Sequence, residues 1–320
     1  MKAIVQDNYG SADVLELREI ERPATGDGDV LVRVHAASVN PQDWHVLRAR
    51  PFIVRTAGYG LLIPKKPIRG TDAAGQVEAV GKNVTRFRPG DEVLGWCEGA
   101  FAEYVSADES HFVPKPADLS FEAAATLPMA GCTALQGLRD TGAVQPGQEV
   151  LIIGAAGGVG TFAVQIAKAF GAGVTGVCST MKMDFVRSIG ADHVIDYTRE
   201  DFTRSGQRYD VIFQLAGTAS PSACRRALTP NGTLVLSSGE GRFAGIDRLV
   251  RALASSPFVR QRLRLLATKE TNEDLVTLAA FIEAGKVTPV IDRTYALSEV
   301  PEAIRYLEEG HARGKVVITV

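Results

Sequence analysis

The sequence predicts an α/β protein with two unlike halves: a twisted antiparallel β region, then a doubly wound parallel sheet of six strands. Three observations predict it. Residues 1 to about 120 are dense in short β-like runs separated by turn residues. From about residue 125, apolar strand-like runs alternate with helical stretches, the texture of a parallel sheet covered by helices. A glycine-rich turn at residues 154–160 joins the first of those runs to a helix.

The elements follow in order. Strands are expected over residues 14–20, 30–39, 73–80, 92–94 and 102–105, with turns at Gly26-Asp27-Gly28 and Arg88-Pro89-Gly90-Asp91. Pro41 starts a short helix. In the second half, strands are expected over 149–153, 173–177, 193–196, 209–215, 233–237 and 263–267. A helix over 159–169 presents Phe162, Ile166 and Ala169 on one face. From Thr288 the chain reads strand (290–295), helix and strand (315–320), with Ser298 as N-cap and Pro301 in the first turn. The last strand is placed to rejoin the N-terminal region. The domains are therefore expected at 1–122, 123–268 and a return over 269–320.

Bulk properties exclude several classes. A length of 320 residues suffices for two cores, and 45% hydrophobic with 22% charged residues is ordinary for a globular protein. A formal net charge of -2 gives no broad attraction to nucleic acid or to an acidic membrane. Asp7 interrupts the N-terminal apolar run too early for a signal peptide, and the longest uncharged stretch, from Val150 up to Lys168, is broken by glycines. Cys97, Cys132, Cys178 and Cys224 are scattered without a C-x-x-C pair, which excludes a zinc knuckle and favours a reducing cytoplasm.

The clearest chemistry lies in Gly154, Gly157, Gly158, Val159 and Gly160, between a buried strand and a helix. Without Cβ atoms the glycines let backbone N–H groups approach a pyrophosphate, and the helix N-terminus adds partial positive charge. A tight turn without ligand is the plain alternative. An NAD site usually places an acid at the end of the second strand to bind the ribose hydroxyl. Here Ser179, Thr180 and Lys182 follow that strand, a neutral-to-positive pocket suited to a 2′-phosphate, and Tyr197 adds a phenol after the third. The expected cofactor is NADPH, unless Lys182 merely opens a solvated helix.

Asp43 and His45 look at first like half a metal site. Two residues apart on a helix they do not face one another, so Asp43 is expected to serve the first helical turn and His45 the surface.

The whole chain resembles the medium-chain dehydrogenase/reductase superfamily, in its zinc-free quinone oxidoreductase (zeta-crystallin-like) branch. The resemblance rests on Ser38-Val39-Asn40-Pro41-Gln42-Asp43, Gly70-Thr71-Asp72-Ala73-Ala74-Gly75, residues 80–93, Gly131-Cys132-Thr133-Ala134-Leu135, the glycine turn, Gly190-Ala191-Asp192-His193-Val194-Ile195 and Gly314-Lys315-Val316-Val317. It implies a GroES-like antiparallel β domain, a Rossmann domain and an NADPH cleft between them. Zinc-dependent relatives have a cysteine where Asn40 stands and Gly-His-Glu where Gly70-Thr71-Asp72 stands, and they carry a four-cysteine lobe absent after Trp96. No metal is expected. The resemblance further implies Asn40 near the nicotinamide and the substrate carbonyl, where its amide both donates and accepts. An asparagine tying its own turn is the alternative. It also implies Thr133 near the nicotinamide, and Ser179, Lys182 and Tyr197 at the adenosine phosphate. Ala216, Gly217 and Ser237 are expected to line the groove at the strand ends, with Lys315 among the cofactor-binding positions.

The expected reaction is direct hydride transfer from NADPH to a quinone. Reduction of an α,β-unsaturated ketone or aldehyde is the close alternative, with Tyr59 as the candidate proton donor. An alcohol dehydrogenase lacks an evident base, and a non-catalytic NADPH-binding scaffold keeps the same glycine turn. The segment 48–66 reads as an insertion, in which Phe52 and Tyr59 join Trp44 as an apolar roof or a packing cluster. Residues 241–259 contain an amphipathic helix. A homodimer is expected from the resemblance alone.

Overall fold

The computed structural model describes residues 1–50, 55, 60–217, 219–237 and 260–320. The expectations for Phe52, Tyr59 and the helix within 241–259 lie outside the described residues. The chain divides into two compact units, one formed by Met1–Ala130, Glu270–Ala280 and Pro289–Val320, the other by Gly131–Lys269 and Phe281–Thr288.

In the first unit the strands are β1 (Lys2–Gln6), β2 (Leu15–Glu19), β3 (Asp29–Val39), β4 (Asp72–Val80), β5 (Glu92–Trp96), β6 (Tyr104–Asp108) and β7 (Phe112–Pro114). β1 and β2 form an antiparallel pair. β1 went unread in the sequence because Ala3, Ile4, Val5 and Gln6 are all buried, so no alternation betrays it. The 11-residue β3 is the spine, pairing antiparallel with β4 and β6.

The second unit holds β8 (Glu149–Ile153), β9 (Gly173–Cys178), β10 (His193–Asp196), β11 (Tyr209–Gln214), β12 (Leu228–Leu236) and β13 (Arg262–Leu265). Their spatial order is β10-β9-β8-β11-β12-β13, every pair parallel. Central β8 reads Val-Leu-Ile-Ile with no polar break because helices cover both faces of such a sheet. The helix Gly158–Ala169 is buried on more than the one expected face: Phe162, Ala163, Val164, Ile166 and Ala167 are all fully enclosed. Its one buried amide, Gln165, is satisfied by exchanging hydrogen bonds with the backbone of Thr288 at 2.9 and 2.8 Å.

The last strands, β14 (Ile291–Ala296) and β15 (Lys315–Thr319), pair parallel to one another, and β15 adds antiparallel to β3. The first unit's sheet therefore runs β14-β15-β3-β4-β5-β7 with one parallel pair at its edge. Ser298 is not the cap of the intervening helix. A 3-10 turn occupies Leu297–Glu299, the helix is Val300–Glu308, and Glu299 instead accepts the Ala296 N–H at 2.8 Å. Two cores result, one around Ile4, Val32, Leu47, Phe101, Phe112 and Ile318, the other around Leu151, Tyr209, Ile212 and Leu234. Each buried aliphatic side chain contributes about 1.5–3 kcal/mol relative to exposure. Among the described residues no helix is long and apolar enough to cross a membrane.

Candidate active site

The second unit builds a glycine cradle at the carboxyl end of its sheet. Gly154 leaves β8 with φ +89°, a conformation open to glycine. A Cβ there would lie 2.8 Å from Cβ of Ala216, so the exits of β8 and β11 nearly touch where the strand order reverses. At Gly160 a Cβ would stand 2.1 Å from the Gly154 oxygen, so the helix packs against the turn closer than any side chain permits. Gly157 is the N-cap, with extended φ -82° and ψ 175°, and its N–H closes the turn on the Gly154 oxygen at 3.1 Å. The first-turn amides of Gly158, Val159 and Gly160 have no partner within the helix, by geometry. A cradle that only glycine can form, opening on a helix N-terminus, fits a dinucleotide pyrophosphate.

The remaining expected positions of this unit sit at strand ends, except Thr133, which lies on the short helix Cys132–Gln136. Gly217 (φ +80°) follows β11, and Ser237 follows β12, its N–H bonded to the Gln214 oxygen at 3.2 Å. Thr133 is buried, its Oγ1 3.0 Å from Oγ1 of Thr268. After β9, Ser179, Thr180 and Lys182 form a 3-10 turn in which the Lys182 N–H donates to the Ser179 oxygen. Tyr197 follows β10 and is 63% exposed, its N–H donating to the Cys178 oxygen at 3.1 Å. These four thus share one corner of the sheet. The Thr180 hydroxyl there is committed to Asp196, a residue that sequence reasoning passed over.

The first unit gathers a different constellation. β15, β3 and β4 are neighbours, and their ends bring Lys315, Ser38, Asn40 and Asp72 together although 275 residues separate Asn40 from Lys315. Asn40 is extended (φ -126°, ψ 155°), as a residue before proline must be, and Pro41 then opens the helix Pro41–Arg48. Its Nδ2 donates to Asp72 Oδ2 at 2.9 Å, and its Oδ1 accepts from Lys315 Nζ at 2.6 Å. Ser38 Oγ donates to Asp72 at 2.8 Å, the Met129 N–H to its other oxygen at 3.2 Å, and Lys315 also reaches the Val39 oxygen. Lys315 and Asp72 are 3.8 Å apart and essentially inaccessible. Burial pushes the Asp72 carboxyl up and the Lys315 ammonium down, each opposed by the other's charge. The Asn40 amide joins this network while its Nδ2 also lies 3.4 Å from the local Ser38 oxygen, and Lys315, expected among the cofactor contacts, is the cation of the network.

Asp43 caps the helix that follows: Oδ2 accepts the Asn40 N–H at 2.7 Å. His45 stacks on Trp44, ring centroids 3.7 Å apart, and its Nδ1 faces the Arg50 oxygen. Burial pushes the Asp43 carboxyl up to about 7. Between about pH 4 and that value the native chain holds a proton that the unfolded chain releases. This stabilisation is full below about pH 4 and is lost as the pH rises through 7. Asp43→Asn keeps an acceptor for the cap without the titration. Urea denaturation across pH 4–7 should show the wild-type advantage over the variant shrinking, by at most about 1.4 kcal/mol per pH unit. A constant difference would contradict the protonated state.

Residues 26–117 match the alcohol dehydrogenase GroES-like domain family and residues 189–318 the zinc-binding dehydrogenase family. The chain is 33% identical to the chloroplastic quinone-oxidoreductase QR1 of Triphysaria versicolor, covering 99% of this chain and 98% of that protein. It is 34% identical to the chloroplastic NADPH-dependent alkenal/one oxidoreductase of Arabidopsis thaliana, over 99% and 79%. The structure of the quinone oxidoreductase from Coxiella burnetii superposes with a TM-score of 0.88 at 31% identity, over 100% and 99% of the two chains.

Proposed function

Because the chain belongs to the medium-chain dehydrogenase/reductase superfamily, in its quinone oxidoreductase-like branch, we propose that this oxidoreductase is a zinc-independent, NADPH-dependent reductase of quinones. The observation that carries the zinc-independent reading is the Asn40–Asp72–Lys315 network. Where the resemblance places thiolate and imidazole ligands, this chain has the Asn40 amide and the Thr71 hydroxyl, poor donors to zinc. The carboxylate left over, Asp72, already faces the buried ammonium of Lys315. A lysine thus supplies the positive charge at that position.

The nicotinamide cofactor, when bound, supplies a hydride. The chain's own residues bind and orient. The first-turn amides at Val159 and Gly160 receive the pyrophosphate, and Ser179, Lys182 and Tyr197 read the adenosine phosphate. Asn40, held by Asp72 and Lys315, is a positioning residue. A quinone suits a site without a described base, because its reduced anion is delocalised and takes its proton from water. Similarity to an alkenal/one oxidoreductase favours enones as the second reading. The proposal includes a homodimer in a cytoplasmic compartment; four buried cysteines, none in a disulfide, support reducing surroundings.

Steady-state assays with 1,4-naphthoquinone and a simple enone, each with NADPH and NADH, test the reading. NADPH with the quinone is expected to give the highest kcat/KM, unchanged after treatment with a zinc chelator. An enone kcat/KM tenfold above that of the quinone would overturn the substrate, and chelator sensitivity the zinc independence.

A further inference from the structure

Asp196 ends β10 next to the exposed Tyr197, yet its own side chain is buried at 2% exposure. Its oxygens are fully used. Oδ2 accepts the Thr180 hydroxyl, and Oδ1 accepts the Thr198 N–H at 3.0 Å and the Thr198 hydroxyl at 2.7 Å. The two threonine hydroxyls are themselves 3.2 Å apart. The nearest cation is the exposed Arg199, 3.7 Å away. In the sheet Asp196 lies in register with Cys178, the last residue of β9. One carboxylate therefore ties the turn after β9 to the turn after β10. Ser179 and Lys182 stand on the first turn, and Tyr197 precedes the tied Thr198 on the second.

We propose that Asp196 is a positioning residue that sets cofactor preference, fixing through Thr180 and Thr198 the two turns that read the adenosine phosphate. The inference rests on the NADPH reading given above. It also decides between two opposite effects of one buried carboxylate. An acid behind a phosphate site repels it through space, whereas an acid that orders the donors around it favours it. Three hydrogen bonds to Asp196 from two threonines put the weight on ordering. The Thr180 hydroxyl, whose proton is spent on Asp196, then serves as a strut and not as a phosphate donor.

The test is cofactor selectivity, measured as the ratio of kcat/KM for NADPH to that for NADH with one quinone acceptor. Asp196→Ala is expected to lower the ratio about tenfold through a higher KM for NADPH, with kcat at saturation within about twofold. Thr180→Val, which removes only the hydroxyl, should shift it in the same direction, and Thr180→Ser should restore it; these two cover the case in which Asp196→Ala does not fold. A ratio that is unchanged or raised in Asp196→Ala and Thr180→Val overturns the positioning role, the raised ratio being the signature of through-space repulsion. A wild-type enzyme without preference for NADPH sinks the phosphate reading itself, and the role of Asp196 with it.

Discussion

Lys315→Met is expected to destabilise the first unit by about 3–5 kcal/mol, the cost of leaving a buried carboxylate without its partner. Methionine keeps the length of the lysine stem, so the loss reports charge and hydrogen bonds more than packing. Lys315 makes its bonds to Asn40 and Val39 and its ion pair to Asp72 where the side chains are 3% and 0% exposed. Water therefore cannot replace what is removed. The double variant Lys315→Met with Asp72→Asn should recover much of the loss, because no buried charge is then orphaned. A double-mutant cycle by urea denaturation separates the coupling from the individual effects. A single-variant loss under about 1 kcal/mol would show that the pair is not an intact ion pair.

Gly160→Ala should abolish tight nucleotide binding. The added carbon would meet the Gly154 oxygen at 2.1 Å and the Ala155 carbonyl at 2.8 Å, all backbone atoms that no rotamer change relieves. The helix must then back away from the turn, carrying with it the amides that face the pyrophosphate. Dissociation constants for NADPH and NADH, measured by titration, should both rise at least about a hundredfold, about 2.7 kcal/mol by the affinity relation. Gly157→Ala is the control for folding: its Cβ would touch only the Gly154 oxygen, at an ordinary 3.5 Å, so stability should stay near wild type. Undiminished binding in Gly160→Ala would mean that the cradle does not hold the cofactor.

The fold was legible where the pattern is local. The unbroken apolar β8, the glycines after it and the strand–helix alternation define a parallel sheet by themselves, and the alternation from Val32 to Ala36 within β3 marks a strand of its partner half. Two features were not legible for physical reasons. β1 shows no alternation because a second layer covers it, and Ser298 lost the capping position to a 3-10 turn that a propensity rule does not see. The sites divide the same way. The glycine turn is contiguous in sequence, so its close-packed strand-to-helix geometry could be read there. Asp72 and Lys315 meet only because β15 and β4 flank β3. Nothing in the sequence around Asn40 announces the two partners of its amide. An acid was sought at the end of β9 and not found. Asp196 stands at the end of β10, and only the register with Cys178 brings it to Thr180.

The link between Lys315 and Asn40 also bears on how the polypeptide matures. Contacts between residues near the two ends of a chain close a very long loop, and such contacts form late. On the ribosome, residues 131–269 can complete a parallel sheet from nearly contiguous chain. The N-terminal strands, by contrast, emerge with Asp72 and Asn40 lacking their cation until β15 is synthesised. During that interval the Ala36–Val39 end of β3 lacks the partner that β15 supplies. The last strand thus finishes the first-made part of the molecule.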